Sequence, residues 1–387
     1  MARYTPIRPG IDQPLSWLAG MTPRQFMRRH WQKKPLLVRG AFPDFRPPIC
    51  IEEALALCAD DMAPSRLVRR QPRSGRWRLQ HGPFAPDEIP DIRRANWTVL
   101  IQQVNTRLPA ADRFLDAFRF IPQARLDDLM ISVAGPGGGI GAHVDSYDVF
   151  LLQAAGHRHW EIAQTFDPQL QDDVPLRILQ TFHAQEEWVL APGDLLYLPP
   201  GVAHRGTAVG PGCMTWSIGF RAPDRVSLAD AALSRHIDSL AHADWHDPWL
   251  EATEQPAEIP ARLLRALARQ VMRDMPDEAG VRRAVARLLS EPAAEAVFDA
   301  PRRPDTPQRF LQRAAQRGLR LAPASRLLYA EGEFHLNGEE LGGGWRAAER
   351  RLLETLANDR CLPPGSACLE RLACLHEAYR SGWIVYN

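Results

Sequence analysis

Lysine is almost missing from this chain. Of 47 basic residues only Lys33 and Lys34 are lysines, and the arginine bias, with 34 prolines, reads as a trace of base composition without functional weight. An excess of either charge sign is also missing. The net charge of +1 gives no global field toward nucleic acid or an anionic membrane. Cysteine is sparse: Cys50, Cys58, Cys213, Cys361, Cys368 and Cys374 contain no Cys-x-x-Cys pair, which argues against a zinc ribbon. They are expected to be reduced thiols, mostly buried. No apolar run approaches a membrane span, and the opening Met-Ala-Arg-Tyr-Thr-Pro has no stretch of signal-peptide length. A cytoplasmic protein is expected. What is present, 387 residues with 45% hydrophobic and 24% charged, suits two or three compact units.

The chain changes character along its length. Thr22-Pro23-Arg24-Gln25 offers an N-cap threonine, a proline at the first helical position and a glutamine for a capping box, so a helix starts here. Further helices and connecting loops are expected up to Asp127. Short apolar runs follow at Leu129 to Ala134, Val144 to Leu152, Trp160 to Ala163, Trp188 to Leu190, Leu195 to Leu198 and Met214 to Phe220. Such strands, divided by Gly, Pro and Asp turns, predict a two-sheet sandwich or jelly roll. Beyond Pro223 the period becomes helical. Leu228, Ala232, Leu233, His236, Ile237 and Leu240 form one face, Leu264, Leu267, Val271 and Met275 a second, and Val281, Val285, Leu288 and Leu289 a third. They read as a linker bundle or an oligomer interface. Pro301-Arg302-Arg303-Pro304 marks another boundary. After it come hairpin-like segments at Leu327 to Ala330 and Phe334 to Asn337, helical stretches at Trp345 to Ala357 and Cys368 to Tyr379, and a last apolar run, Trp383-Ile384-Val385-Tyr386.

Chemistry concentrates in the strand-rich middle. In Gly-Ala-His143-Val144-Asp145 the two polar residues are two apart, so on a strand they share a face and can reach one ion. His204 follows Leu-Pro-Pro-Gly201-Val202-Ala203, a tight turn after an apolar strand. Two imidazoles and a carboxylate are the ingredients of a facial triad that binds iron(II) and leaves the opposite positions open for oxygen chemistry. A bare His-x-Asp is weak evidence. The glycine turn Gly135-Pro136-Gly137-Gly138-Gly139 before it and Gly193-Asp194 leading to the distal histidine strengthen it against core histidines.

These residues carry a resemblance. Asp127-Asp128-Leu129-Met130-Ile131-Ser132, the glycine turn, His143-x-Asp145-x-Tyr147-Asp148-Val149-Phe150 and Pro192-Gly193-Asp194 through His204 resemble the JmjC-type ribosomal oxygenases. Trp31-Gln32-Lys33-Lys34-Pro35-Leu36 and Ser217-Ile218-Gly219-Phe220-Arg221-Ala222-Pro223 are similar to the bacterial branch, so that the likeness runs along nearly the whole chain. The resemblance implies an α+β protein: a double-stranded β-helix (jelly-roll or cupin, JmjC-type) with N-terminal helices over residues 1–223, a helical dimerisation module over 224–300 and a winged-helix-like domain over 301–387. It implies an iron(II)- and 2-oxoglutarate-dependent oxygenase using O2, a homodimer, that hydroxylates the β-carbon of an arginine in a large-subunit ribosomal protein. DNA binding is not expected of the last unit, where Arg exceeds Asp+Glu by only 13 to 10.

The co-substrate's distal carboxylate needs a cation and a hydroxyl donor. Arg158, in Gly156-His157-Arg158-His159-Trp160 after a turn from the His143 strand, is the candidate cation, since its planar fork suits a carboxylate better than a lysine does. Ser132 can add the hydroxyl, and both positions match the family's co-substrate residues. His157 and His159 stand where relatives often carry further arginines, and a register slip of one residue would turn Arg158 to the wrong face. The bland alternatives are an edge-strand arginine and a serine that satisfies local backbone. His157 and His159 read as structural, and His242-Ala243-Asp244-Trp245-His246 as a surface loop. Asp148 and Tyr147 can face a substrate channel; Asp148 suits a guanidinium partner and a structural acceptor equally. Two rival functions remain: a cupin-type metalloenzyme acting on a small molecule, and a non-catalytic partner-binding regulator.

Overall fold

The computed structural model describes residues 8–366 and 372–387, so Cys368 and the start of the expected helix around it lie outside the described residues. The N-terminal part contains helices α1 (Pro23–Arg29), α2 (Ile51–Ala56), α3 (Val104–Arg107) and α4 (Pro109–Leu115) and strands β1 (Leu36–Val38), β2 (Ser65–Arg70), β3 (Trp77–His81) and β4 (Trp97–Ile101). Strands β5 (Leu126–Ala134), β6 (His143–Val144), β7 (Val149–Ala163), β8 (Glu186–Leu190), β9 (Leu195–Leu198) and β10 (Ala203–Phe220) follow. Next come α5 (Arg225–Ser239), α6 (Ala261–Arg273) and α7 (Glu278–Ser290). The last part contains α8 (Pro307–Arg317), β11 (Leu319–Leu321), β12 (Leu327–Ala330), β13 (Glu333–Leu336), β14 (Glu339–Glu340), α9 (Ala347–Asp359), β15 (Cys361–Leu362), α10 (Leu375–Arg380) and β16 (Ile384–Tyr386).

The capping box of α1 forms as its sequence requires: Thr22 accepts from the Gln25 N–H while the Gln25 side chain accepts from the Thr22 N–H. Phe26 on this helix is fully buried and meets Tyr197 edge-on, with centroids 5.0 Å apart. The N-terminal part differs from expectation in one respect. It contributes strands as well as helices, and β4, β2 and β3 extend the main sheet beyond β5. Their arginine-rich text hides the strand period.

Two sheets share two bent strands. The larger runs β1-β9-β7-β10-β5-β4-β2-β3, with each of these neighbours paired antiparallel. The smaller uses the second half of β7 and the first half of β10, flanked by β8 and β6. The break after the His143 strand falls at residues 145–148, and the runs expected separately at Val144 to Leu152 and Trp160 to Ala163 are one strand, since β7 runs unbroken from Val149 to Ala163. Gly156 marks a bend instead, at φ +59, where an added Cβ would lie 2.6 Å from the Gly212 carbonyl oxygen. A register shift between Val209 and Met214 on β10 bends the partner with it. Gln153, fully buried, bars this corner: Thr215 Oγ1 donates to its side-chain oxygen at 3.0 Å and its amide donates to the Ala155 carbonyl at 2.8 Å.

The main core lies between the outer face of the large sheet and the N-terminal helices, with Trp97, Phe118, Phe150 and Trp216 at 1% exposure or less. Each such side chain is worth about 1.5–3 kcal/mol of burial. A separate core around Phe310, Leu353, Leu356 and Ile384 holds the last part, whose strands form two three-stranded sheets, β15-β11-β16 and β12-β13-β14. The three amphipathic helices expected beyond Pro223 are present, and α6 buries none of its residues. Among the described cysteines Cys58 and Cys213 are buried, Cys374 is half-buried, and Cys50 and Cys361 are exposed, a more open set than expected.

Candidate metal and co-substrate site

His204 stands directly opposite His143 in the β10–β6 pair and opposite Ile162 in the β10–β7 pair, so the two imidazoles share one face of the small sheet. β6 ends at Val144, and Asp145 sits just beyond it. The Gly201 N–H donates to the Asp145 carbonyl at 2.9 Å, which ties the two ligand-bearing segments together. The glycine run approaches its neighbours closely. A Cβ on Gly138 would lie 2.0 Å from the Trp97 carbonyl oxygen, and one on Gly139 2.4 Å from that of Gly206.

The three side chains converge. His143 Nε2 lies 3.9 Å from Asp145 Oδ1 and His204 Nε2 lies 3.6 Å from Asp145 Oδ2. The three donor atoms are within 4.8 Å of one another, and among the described residues no other group of His, Cys, Asp or Glu is so arranged. Each histidine's Nδ1 is 3.0 Å from a carbonyl two residues upstream, Gly141 for His143 and Val202 for His204. A carbonyl only accepts, so Nδ1 carries the proton and the lone pair of Nε2 faces Asp145. This outer support fixes tautomer and ring orientation. Burial, then the neighbouring His143, pushes the His204 imidazole down to about 4, against the pull of Asp145. His204 is therefore neutral at pH 7, as a metal ligand must be. His242 and His246 lie in an exposed loop, away from this cluster.

Arg158 lies on the same face of the small sheet. Its partner on β10 is Ala208, four residues along from His204, which puts both side chains on one face. Arg158 is 4% exposed, and its Nη2 reaches Ser132 Oγ at 3.4 Å across the gap between the sheets. Its Nε is buried without a hydrogen-bond acceptor among the described residues. A buried guanidinium held by one long contact fits a carboxylate. Trp160 bridges the two clusters: Arg158 lies 5.8 Å from its ring centroid, and His204 lies 6.0 Å away on the other side of the link. Gly206, opposite Trp160, keeps the floor clear, since a Cβ there would come within 2.8 Å of that ring and 3.1 Å of Arg158 Cδ. Sequence reasoning missed Trp160 and Gly206, although each stands two residues from a singled-out residue on the same strand.

The neighbours resolve as follows. Asp148 is fully buried and accepts from Tyr197 Oη at 2.6 Å and Gln32 Nε2 at 3.0 Å, with Arg125 at 3.8 Å. Of its two readings, the structural acceptor is the one its contacts support. Tyr147 is 38% exposed at the mouth, and the packing around its hydroxyl, then the Asp145 charge, push its ionisation upward. His157 is exposed, and His159 pairs with Glu187 at 3.3 Å. Asp194 holds the turn before β9. Despite the penalty of burial, it is kept below the usual carboxylate range by the Ala191 and Gly40 N–H groups and Arg39.

Comparison with known proteins agrees with this geometry. Residues 113–228 match the family model of the JmjC domain. The chain is 31% identical over 340 residues, 86% of its length and 88% of the relative, to the ribosomal protein uL16 3-hydroxylase of Escherichia coli K12. The crystal structure of E. coli YcfD superposes with a TM-score of 0.84 at 29% identity, covering 95% of this chain and 98% of that one. YcfD, described as a ribosomal oxygenase, in complex with cobalt and 2-oxoglutarate superposes with a TM-score of 0.80 over the same shares. Fold, site and similarity over nearly the full length agree, and the chain belongs to the JmjC-type ribosomal oxygenases, a family of 2-oxoglutarate-dependent hydroxylases.

Proposed function

We propose that this chain hydroxylates the β-carbon of an arginine in a large-subunit ribosomal protein, using iron(II), 2-oxoglutarate and O2 and releasing succinate and carbon dioxide. The observation that carries the reading is the buried Arg158 fork, set opposite Ser132 and linked by Trp160 to the His143–Asp145–His204 cluster. Bound iron(II) and 2-oxoglutarate would supply the oxidising chemistry. The protein's own residues bind and orient. His143, Asp145 and His204 hold the metal from one side. Arg158 and Ser132 take the far carboxylate of the co-substrate, and Trp160 and Ile162 keep water from the ground between. The uL16 target is supported by the name of the E. coli relative, where position 3 of an amino acid is its β-carbon.

The same reading divides the chain into a catalytic unit (1–223), a helical dimerisation module (224–300) and a winged-helix-like unit (301–387), in a cytoplasmic homodimer. The module is supported by an apolar face that the described chain does not cover: Ile237, Leu264 and Val271 are 63%, 58% and 62% exposed. The test is intact-protein mass spectrometry of the uL16 protein from the same organism after aerobic incubation with enzyme, iron(II) and 2-oxoglutarate. A gain of one oxygen atom on an arginine, lost with His204→Ala and strictly dependent on 2-oxoglutarate, is expected. No gain alongside substrate-independent succinate would discard the assigned target. Absence of both products would sink the oxygenase reading.

A further inference from the structure

The near-zero net charge conceals a local imbalance. Residues 62–86 contain six arginines, Arg66, Arg69, Arg70, Arg73, Arg76 and Arg78, and no aspartate or glutamate, the flanking acids being Asp61 and Asp87. The segment is the β2–β3 hairpin, whose strand β3 is the free edge of the large sheet. Arg70, Arg73, Arg76 and Arg78 are exposed and Arg66 and Arg69 half-buried. Some other arginines of residues 8–223 meet carboxylates, as in Arg39–Asp194, Arg107–Asp60 and Arg205–Glu161. Among the described residues no ion pair reaches any of the six. Arg69 and Arg78 are direct cross-strand partners, a like-charge pairing that weakens a hairpin and that a bound anion would relieve, although Arg69 Nη2 also donates to the Glu88 carbonyl at 2.6 Å.

The hairpin is continuous with the site. Ser132, Leu100, Arg66 and His81 are successive partners across β5, β4, β2 and β3 and so form one row on the inner face of the sheet. At about 4.8 Å per strand, Arg66 stands roughly 10 Å from Ser132. Arg70 continues the strip outward and lies 5.4 Å over the ring of half-buried Trp77. Arg66, Arg70 and Trp77 share one face of the hairpin and Arg69 and Arg78 the other, so guanidinium forks that match phosphate oxygens line both sides of the free edge, and the Trp77 ring beside Arg70 is a platform for a stacked base.

We propose that the β2–β3 hairpin binds single-stranded RNA through its phosphate backbone, with a base stacked on Trp77, and holds that RNA beside the mouth of the site. An acidic polypeptide would use the charges but not the ring. The binding is independent of the proposed hydroxylation and would stand if that reading failed.

The test is fluorescence anisotropy of a labelled 20-nucleotide single-stranded RNA of mixed sequence with the full chain between 50 and 200 mM salt. With about four phosphates engaged, log affinity should fall with log salt at a slope near −3, roughly a 50-fold loss over that range. Arg73→Gln/Arg76→Gln/Arg78→Gln changes exposed side chains only. It should weaken binding at 50 mM salt at least about tenfold and reduce the slope by about two. Trp77→Ala should cost at least about fivefold, while Trp77→Phe keeps most of the affinity. Arg302→Gln/Arg303→Gln/Arg320→Gln, exposed in the last unit, should bind as wild type. No binding at 50 mM salt, an unaffected hairpin variant, or equal loss in the control variant would overturn the proposal. So would equally tight, equally Trp77-dependent binding of a labelled polyglutamate of the same length.

Discussion

Replacing Arg158 by methionine should separate stability from co-substrate binding. The guanidinium is 4% exposed, holds Ser132 Oγ at 3.4 Å and stacks at 5.8 Å on Trp160, while its Nε meets no acceptor among the described residues. A buried charge so thinly supported is a cost to the ligand-free fold, and an apolar side chain of similar length should hold stability or raise it by about 0–2 kcal/mol. The co-substrate loses its charged partner, worth about 2–4 kcal/mol, so its Kd should weaken roughly 30- to 1000-fold. Ser132→Ala removes one neutral hydrogen bond, about 0.5–1.5 kcal/mol, and should cost tenfold at most. Calorimetric titration of 2-oxoglutarate into metal-loaded protein without oxygen reads the effect on binding, and urea denaturation of metal-free protein the effect on stability. Wild type at 100 times Kd should also gain about 2.7 kcal/mol of apparent stability that the variant lacks. A variant that binds 2-oxoglutarate within threefold of wild type would refute the assignment of Arg158. One that unfolds while metal-free would show that the guanidinium is structural.

Four further outcomes follow from individual contacts. Gly206→Ala, whose Cβ would press on Trp160 and Arg158, should raise the KM for 2-oxoglutarate at least about tenfold in a succinate assay while metal binding persists. Tyr197→Phe deprives buried Asp148 of its 2.6 Å donor and should cost about 1–3 kcal/mol in urea denaturation, with turnover per folded molecule unchanged. Burial, then Asp127, pushes the Asp128 carboxyl up to about 6, so the folded state holds its proton more tightly than the unfolded chain. That contribution is complete below about pH 4 and is lost as pH rises through about 6, roughly 1–2 kcal/mol after discounting for solvent. Asp128→Asn, still able to accept from the Gln103 N–H, should flatten this loss when stability is measured at pH 5 and pH 8. Leu267→Glu/Val271→Glu charges the open face of α6 and should shift a dimer to a monomer in light scattering, without loss of helix by circular dichroism.

Local rules made some elements legible and failed at others for definite reasons. Thr22-Pro23 and Gln25 announce α1 because a capping box is complete within four residues. The faces of α5, α6 and α7 follow from a period that needs no partner. The triad was readable because its two halves each sit beside a turn. The bend at Gly156 within β7 was not legible, because it is set by a carbonyl of Gly212 more than fifty residues away. Asp148 was ambiguous for a similar reason, since its donors Gln32 and Tyr197 come from opposite ends of the catalytic unit. In β2 and β3 the arginines overwrite the apolar alternation, and only pairing with the all-buried β4 reveals the strands. Helix α8 gave little signal because it turns only Phe310 and Ala314 fully inward.

The bent strands explain how so few residues can hold a site. β7 contributes Phe150 and Leu152 to the main core before its bend and Arg158 and Trp160 to the cavity after it. β10 does the reverse, carrying His204 and Gly206 first and Trp216 and Ile218 later. Arg158 and His204 therefore sit on extensions of strands whose other halves are locked in a packed interior. A core at that density tolerates little displacement, so the separation between Arg158 and His204 is fixed by the packing of Phe150 and Trp216 as much as by contacts within the cavity. The Gln153–Thr215 bar at the corner joins these halves. Side chains placed this way need no large hydrogen-bond network of their own, and Arg158 holds its orientation although its Nε is buried without an acceptor among the described residues.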